Sequence, residues 1–114
     1  MINKRKKFIL TEYVAAEKRI ETLTKELYIN DDPILKKLLE CERAEISKKI
    51  NQIEEAIKAL ESYNQRNVIW WTYIGDIVNG KRKRLTRWEI GNKLGFSDEW
   101  VKDVYEKALE NLNI

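Results

Sequence analysis

At 114 residues, with 43% hydrophobic and 36% charged side chains but only four glycines and one proline, the chain has the composition of long helices and little of the punctuation that an all-β fold needs. It contains no histidine and a single cysteine, Cys41, which excludes an internal disulfide, the usual Cys/His zinc sets and every histidine-based triad or general base. The formal net charge of +3 is spread evenly at coarse grain, 13 bases against 12 acids up to residue 62 and nine against seven beyond it, but it gathers locally into two runs, Lys4-Arg-Lys-Lys7 and Lys81-Arg-Lys-Arg84.

These features lead to an expectation of an all-α protein without catalytic residues, metal site or cofactor. The carboxylates, lysines and tyrosines that remain are strewn along helical faces, where solvated surface is their ordinary role. Either basic run can supply phosphate contacts, although a charge run is more often plain wet surface. No stretch approaches the roughly 18 to 20 uninterrupted apolar residues of a membrane span. Phe8-Ile-Leu is followed at once by Thr11 and Glu12, too short and too polar for the core of a signal peptide. The expected location is therefore the cytoplasm, with no membrane partner.

From Ile9 the apolar positions run Ile9, Tyr13, Ala16, Ile20, Leu23 and Leu27, alternating gaps of four and three. That is a heptad seam, the period with which one helix packs along another. Asn30-Asp-Asp-Pro33 breaks it: proline suits the first position of a helix, and Asp32 can cap the free N–H groups of the next one. The second seam is Leu39, Arg43, Ile46, Ile50, Ile53, Ile57 and Leu60.

The pattern predicts a first helix near residues 6–28, about 34 Å long, and a second near 33–62, about 45 Å long. With so short a connection they form an antiparallel hairpin. The longer second arm would leave seam without a partner in the chain, so self-association as a homodimer or higher homo-oligomer is expected of residues 1–62. Arg43 either fixes register as a polar residue in the seam or, the more ordinary reading, lays its stem across the seam with its guanidinium in water. Cys41, off the seam, is expected to be small and semi-buried.

All four tryptophans follow residue 62, where the second unit, residues 63–114, begins. A helix is expected from about Asn67 to Val78, with Asn79-Gly80 as its stop and the basic residues Lys81, Arg82, Lys83 and Arg84 as a loop. Thr86-Arg-Trp-Glu89 is a capping box that starts a short helix carrying Ile90 and Leu94 inward. Gly95 ends it, Phe96 is expected to plug the turn, and Ser97 caps a last helix with Val101, Val104, Ala108 and Leu112 buried. Gly91 is small enough for a tight crossing. A short capped helix, a glycine turn and a longer capped helix make a helix-turn-helix. Trp71 and Trp88 are expected in the core, with Trp100 at the edge of the buried stripe.

The pattern "VI-x-x-x-Y", from Val68 to Tyr73, then "T-x-x-EI-x-x-x-LG-x-S-x-x-x-V", from Thr86 to Val101, and the closing "AL-x-x-L" resemble the region 4 domain of bacterial sigma factors over residues 64–112. The layout, a long helical half ahead of such a module, resembles the small phage transcriptional regulators of the ArpU/RinA type. The resemblance implies a DNA-binding transcriptional regulator, phage- or prophage-encoded and working in a bacterial host cell. Its helix over residues 97–112 would dock in the major groove of double-stranded DNA, two copies meeting two half-sites.

Carried over by motif position, Asp98, Glu99, Trp100, Lys102 and Asp103 are the base-reading candidates. Sigma factors favour arginine at the positions of Asp98, Trp100 and Lys102, and this chain keeps a cation only at the last. That departure implies a weak or different DNA preference rather than specific reading of a sigma-type −35 element. Glu99 keeps the family's acid, which can accept from a cytosine amine. Lys81, Arg82, Lys83, Arg84, Arg87 and Lys93 are the phosphate candidates. The alternative reading is a protein-interaction adaptor or inhibitor that binds RNA polymerase, a sigma factor or another protein. A continuous acidic face from Asp98, Glu99, Asp103 and Glu106 would favour that alternative.

Overall fold

In the computed structural model, which describes residues 2–114, the chain is all-α apart from one small β-hairpin. The elements run α1 (Ile2–Ile29), α2 (Pro33–Lys58), α3 (Tyr63–Tyr73), β1 (Asp76–Val78), β2 (Lys81–Lys83), α4 (Arg87–Leu94) and α5 (Asp98–Asn111). Among the described residues no helix is long and apolar enough to cross a membrane.

The first two helices form the expected antiparallel hairpin. Asp32 is the N-cap of α2, its carboxylate accepting from the Ile34 and Leu35 backbone N–H groups, with Pro33 in the first helical turn. The seam closes within the chain: Tyr13, Leu23, Leu39, Ile50, Ile53, Ile57 and Leu60 are buried, and Ile9, Ile20, Leu27 and Ile46 are half-buried. The arms differ from the expected lengths in a way that matters. The first starts at Ile2 and spans 28 residues, while α2 stops at Lys58 after 26. The expected overhang of the second arm is thus absent, and with it the unpaired seam that argued for self-association along these residues.

Near the root of the hairpin the inward face of α1 rotates from the heptad reading. Lys6, Leu10 and Tyr13 turn inward and Ile9 is only half-buried. The reason is a second set of neighbours: α1 packs there on α3 and α5 as well as on α2. Arg43 lies half-buried with its guanidinium reaching the exposed Thr24 hydroxyl at 3.4 Å, and Cys41 is exposed rather than semi-buried.

One core crosses the break at residue 62. Leu10 and Tyr13 of α1, Ile53 and Ile57 of α2, Ile69 and Tyr73 of α3, and Leu109 at the end of α5 belong to a single buried cluster. A smaller cluster, Val68, Trp71, Ile90 and Val101, binds α4 to the rest. Three buried or half-buried polar pairs sit at this junction. Tyr13 donates to the Glu54 carboxylate, and the Tyr73 and Tyr105 hydroxyls share a hydrogen bond. Burial, and then these bonds, push both the Tyr13 and Tyr73 phenols above their ordinary range. Lys6, 7% exposed, donates to the carbonyls of Leu109 and Glu110 at 2.7 and 3.2 Å. Those carbonyls lie in the last turn of α5, where the helix has no partners of its own and a cation is favoured.

The segment after α3 departs most from the sequence reading. The helix begins at Tyr63, capped by Ser62, and ends at Tyr73; Gly75, with φ +80°, is the residue that turns the chain. A Cβ on Gly75 would lie 2.0 Å from the Lys83 carbonyl oxygen, so β2 can approach only because that position is glycine. Asn79 and Gly80 do not stop a helix. Both have positive φ and make the two-residue turn between β1 and β2, the type that joins twisted antiparallel strands. Val78 is accordingly in a strand, and Lys81, Arg82 and Lys83 are a strand rather than a loop.

The helix-turn-helix itself forms as expected. Thr86 and Glu89 make both bonds of the capping box, Gly95 takes the left-handed conformation at φ +78°, and the Ser97 hydroxyl accepts from the Trp100 N–H. The small size at Gly91 serves the turn: a Cβ there would lie 2.7 Å from the Phe96 carbonyl oxygen. Two aromatics are corrected. Trp88 is 67% exposed, not core, and Phe96 does not plug the turn but lies 45% exposed, stacked on Trp100. Trp71 is buried as expected.

Gly91→Ala therefore forces backbone to shift and should cost about 1 to 3 kcal/mol of unfolding free energy. At Gly95, open space surrounds the added methyl, and the left-handed backbone alone should cost about 1 to 2 kcal/mol. Urea denaturation of the two variants checks both; an unchanged midpoint for Gly91→Ala would contradict the packing described.

Candidate nucleic-acid interface

The β-hairpin is held against the helices by polar and charged contacts, since its apolar side chains Ile77 and Val78 are exposed. In its register Asp76 faces Lys83, Ile77 faces Arg82 and Val78 faces Lys81. Neighbouring residues on a strand point to opposite faces, so Arg82 is sorted from Lys81 and Lys83. Arg82 turns to α1, where its guanidinium donates to both Glu17 carboxylate oxygens at 3.0 and 2.8 Å, and a third donor reaches the Gly75 carbonyl. Its charged carbon stands 5.4 Å from the Trp70 ring centroid. Trp70 in turn meets Tyr13 edge-on. Asp76 accepts from the indole N–H groups of both Trp70 and Trp71, at 3.1 and 3.2 Å. The Leu85 backbone N–H donates to the Trp71 carbonyl and ties the exit of the hairpin to α3.

This arrangement divides the six phosphate candidates. Arg82 is committed to Glu17, and Arg87 pairs with Asp98 at 3.0 Å, both side chains about half exposed. Lys93 lies 5.0 Å from the Trp71 ring centroid. Lys81, Lys83 and Arg84 are exposed and make no ion pair or side-chain hydrogen bond among the described residues. Three cations are thus presented together, Lys81 and Lys83 on the short strand that Arg82 and Asp76 lock to the helical body and Arg84 just beyond its end. Lys83 is near enough to the start of α4 to help hold the Glu89 carboxyl below its ordinary range, after the hydrogen bonds from Thr86.

The base-reading candidates on α5 are distributed differently. Glu99, Lys102 and Asp103 are exposed. Asp98 is exposed but engaged by Arg87 across the turn. Trp100 is half-buried, its ring 3.7 Å from that of Phe96 and packed on the smaller core cluster, so it is held as a wall of the module. With Val101, Ala108 and Leu109 inward, the outward stripe of α5 is Glu99, Asp103, Glu106 and Glu110, spaced four, three and four residues apart and all exposed. Asp98 is not part of it. The stripe is an acidic face, longer by Glu110 than the sequence reading considered, with Lys102 and Lys107 beside it. The two signs of charge are segregated: free cations on the β-hairpin, carboxylates along α5.

The run Lys4 to Lys7 contributes less than its sequence suggests, because Lys6 is buried on α5 and Arg5 reaches the Ile114 carbonyl at 3.5 Å. The hairpin itself, and the exposure of Trp88, were missed from sequence. Asn-Gly between Asp-Ile-Val and Lys-Arg-Lys was the signal that could have found the hairpin. No protein-family model, no curated protein and no solved structure matches the chain.

Arg82→Ala should destabilise the protein by about 1 to 2 kcal/mol, a charge-assisted pair discounted for its partial exposure. Lys83→Ala should leave the unfolding free energy within about 0.5 kcal/mol of the wild type. Denaturant titration of the pair separates the fastening cation from the free one; equal losses would contradict the sorting of the strand.

Proposed function

We propose that the chain is a DNA-binding transcriptional regulator whose hold on DNA comes from the β-hairpin and the adjoining start of α4 rather than from α5. The observation that carries this reading is the preorganised trio of unpaired cations, Lys81, Lys83 and Arg84, next to a complete helix-turn-helix. Phosphate contacts position a protein on a duplex without reading sequence, and each one neutralised releases counterions. On α5, Lys102 and Glu99 are the side chains that remain to meet base edges, Glu99 as an acceptor for a cytosine amine. The resemblance to sigma region 4 and to small phage regulators supports the same reading, with a prophage or phage gene acting in a bacterial cytoplasm as its setting.

A second reading is favoured by a separate observation, the acidic stripe Glu99, Asp103, Glu106 and Glu110. Four carboxylates facing a phosphate-lined groove oppose docking there, whereas they complement a basic protein surface such as one on RNA polymerase or a sigma factor.

Fluorescence anisotropy with duplex DNA across a salt series separates the two. The DNA reading predicts salt-dependent binding at low ionic strength. Replacing Lys81, Lys83 and Arg84 together by alanine should lower the slope of log affinity against log salt by about 3. Neutralising the stripe as E99Q, D103N, E106Q and E110Q should leave binding unchanged or tighter. Absence of salt-dependent binding, or indifference to loss of the three cations, would sink the DNA reading in favour of the protein partner.

A further inference from the structure

The heptad seam accounts for the middle of the hairpin but not for its tip. Leu23 and Leu39 are the last buried pair toward the turn. Beyond them apolar residues continue, and they face solvent: Tyr28 and Ile29 at the end of α1, and Ile34, Leu35 and Leu38 at the start of α2, are 40 to 90% exposed. Ile34 and Leu38 are four residues apart and Leu35 and Leu38 three, so on α2 they are surface neighbours. All five lie within a few residues of the turn. Exposed apolar surface concentrated like this marks an interaction site, where singly scattered residues would not.

Charge at the tip points to the occupant. From Lys25 to Leu38 the chain carries three acids, Glu26, Asp31 and Asp32, and three bases, Lys25, Lys36 and Lys37. Lys25 already pairs with Glu21 within α1, which leaves the patch three acids against two bases, too small an excess to select a strongly basic or acidic partner. Its signs are instead segregated, carboxylates in the turn and lysines one helical turn along α2. A two-fold axis through such a patch sets the turn of one copy against the lysines of the other, which is the self-complementarity an isologous contact requires.

We propose that the hairpin tip is a homodimer interface, through which a second copy of this chain covers Tyr28, Ile29, Ile34, Leu35 and Leu38. Five apolar side chains are far fewer than the roughly 20 to 30 residues a side of a standard stable interface, so the dimer is a weak one, with a dissociation constant on the order of micromolar. It does not depend on the module binding DNA, and it uses a different surface from the seam between the arms.

Sedimentation equilibrium of the full chain, without DNA, tests this between about 1 and 500 µM. The expected result is a mass rising from one chain to two across that range. The double variant Ile34→Glu and Leu38→Glu should stay monomeric, at least tenfold weaker, with its helical circular dichroism intact, since both side chains leave the core untouched. Lys36→Glu with Lys37→Glu, which removes only the charge complement, should also weaken the dimer. A wild-type chain that stays monomeric throughout would overturn the proposal, including when it captures some other protein. So would a dimer that survives Ile34→Glu and Leu38→Glu, which would place the contact elsewhere.

Discussion

Leu109 and Leu112, in and just beyond the last turn of α5, are buried among Leu10, Tyr13, Ile53 and Ile57 at the root of the helical hairpin, and Lys6 bonds to the carbonyls that the end of α5 leaves open. This docking holds the C-terminal module against the hairpin. Short helices are marginal alone: α4 has eight residues and α3 eleven, below the length at which isolated helices persist in water. They are stable here because α5 and α1 provide apolar surface for them. The buried lysine adds direction to an otherwise greasy contact. Its ammonium is satisfied by the two carbonyls, and removing them would leave a buried charge unpaired.

From that root the β-hairpin acquires its position. Trp70 sits between Tyr13 of α1 and Arg82 of β2, and Glu17 of α1 holds Arg82 from the other side. Two carboxylates, Glu17 and Asp76, thus do opposite jobs with the same chemistry, one gripping a guanidinium and the other two indole N–H groups. The consequence for function is that one arginine of a basic run is used up so that its neighbours are displayed. The strand's period of two sorts Arg82 from Lys81 and Lys83, and Arg84 follows just beyond the strand's end.

Local signals in the sequence carried much of this fold. Asp32-Pro33, Thr86 with Glu89, Gly95 and Ser97 each act on backbone groups within a few residues, so their roles survive without knowledge of the tertiary structure. What was not legible depends on residues far apart in sequence. Lys6 meets Leu109 and Arg82 meets Glu17, and nothing near either cation in sequence distinguishes it from a solvated one. The β-hairpin was hidden for a different reason: Asn-Gly fits a helix C-terminus as well as a two-residue turn, and Ile74 and Val78 happen to keep helical spacing. Trp88 misled because bulk suggested burial, whereas the core position at the start of α4 is taken by Ile90. For the candidate site, the positions of the cations were readable but their availability was not.

The central claim is that the hairpin and the helix-turn-helix module stand or fall together on their shared core. All four tryptophans lie in the module, while α1 and α2 supply most of the helix. Equilibrium unfolding in urea, followed at once by tryptophan fluorescence and far-ultraviolet circular dichroism, therefore reports on the two halves separately. The account predicts coincident transitions with one midpoint, the signature of a single cooperative unit. A fluorescence transition completed while the helical signal persists would contradict it, because the module would then be unfolding from a hairpin that does not need it.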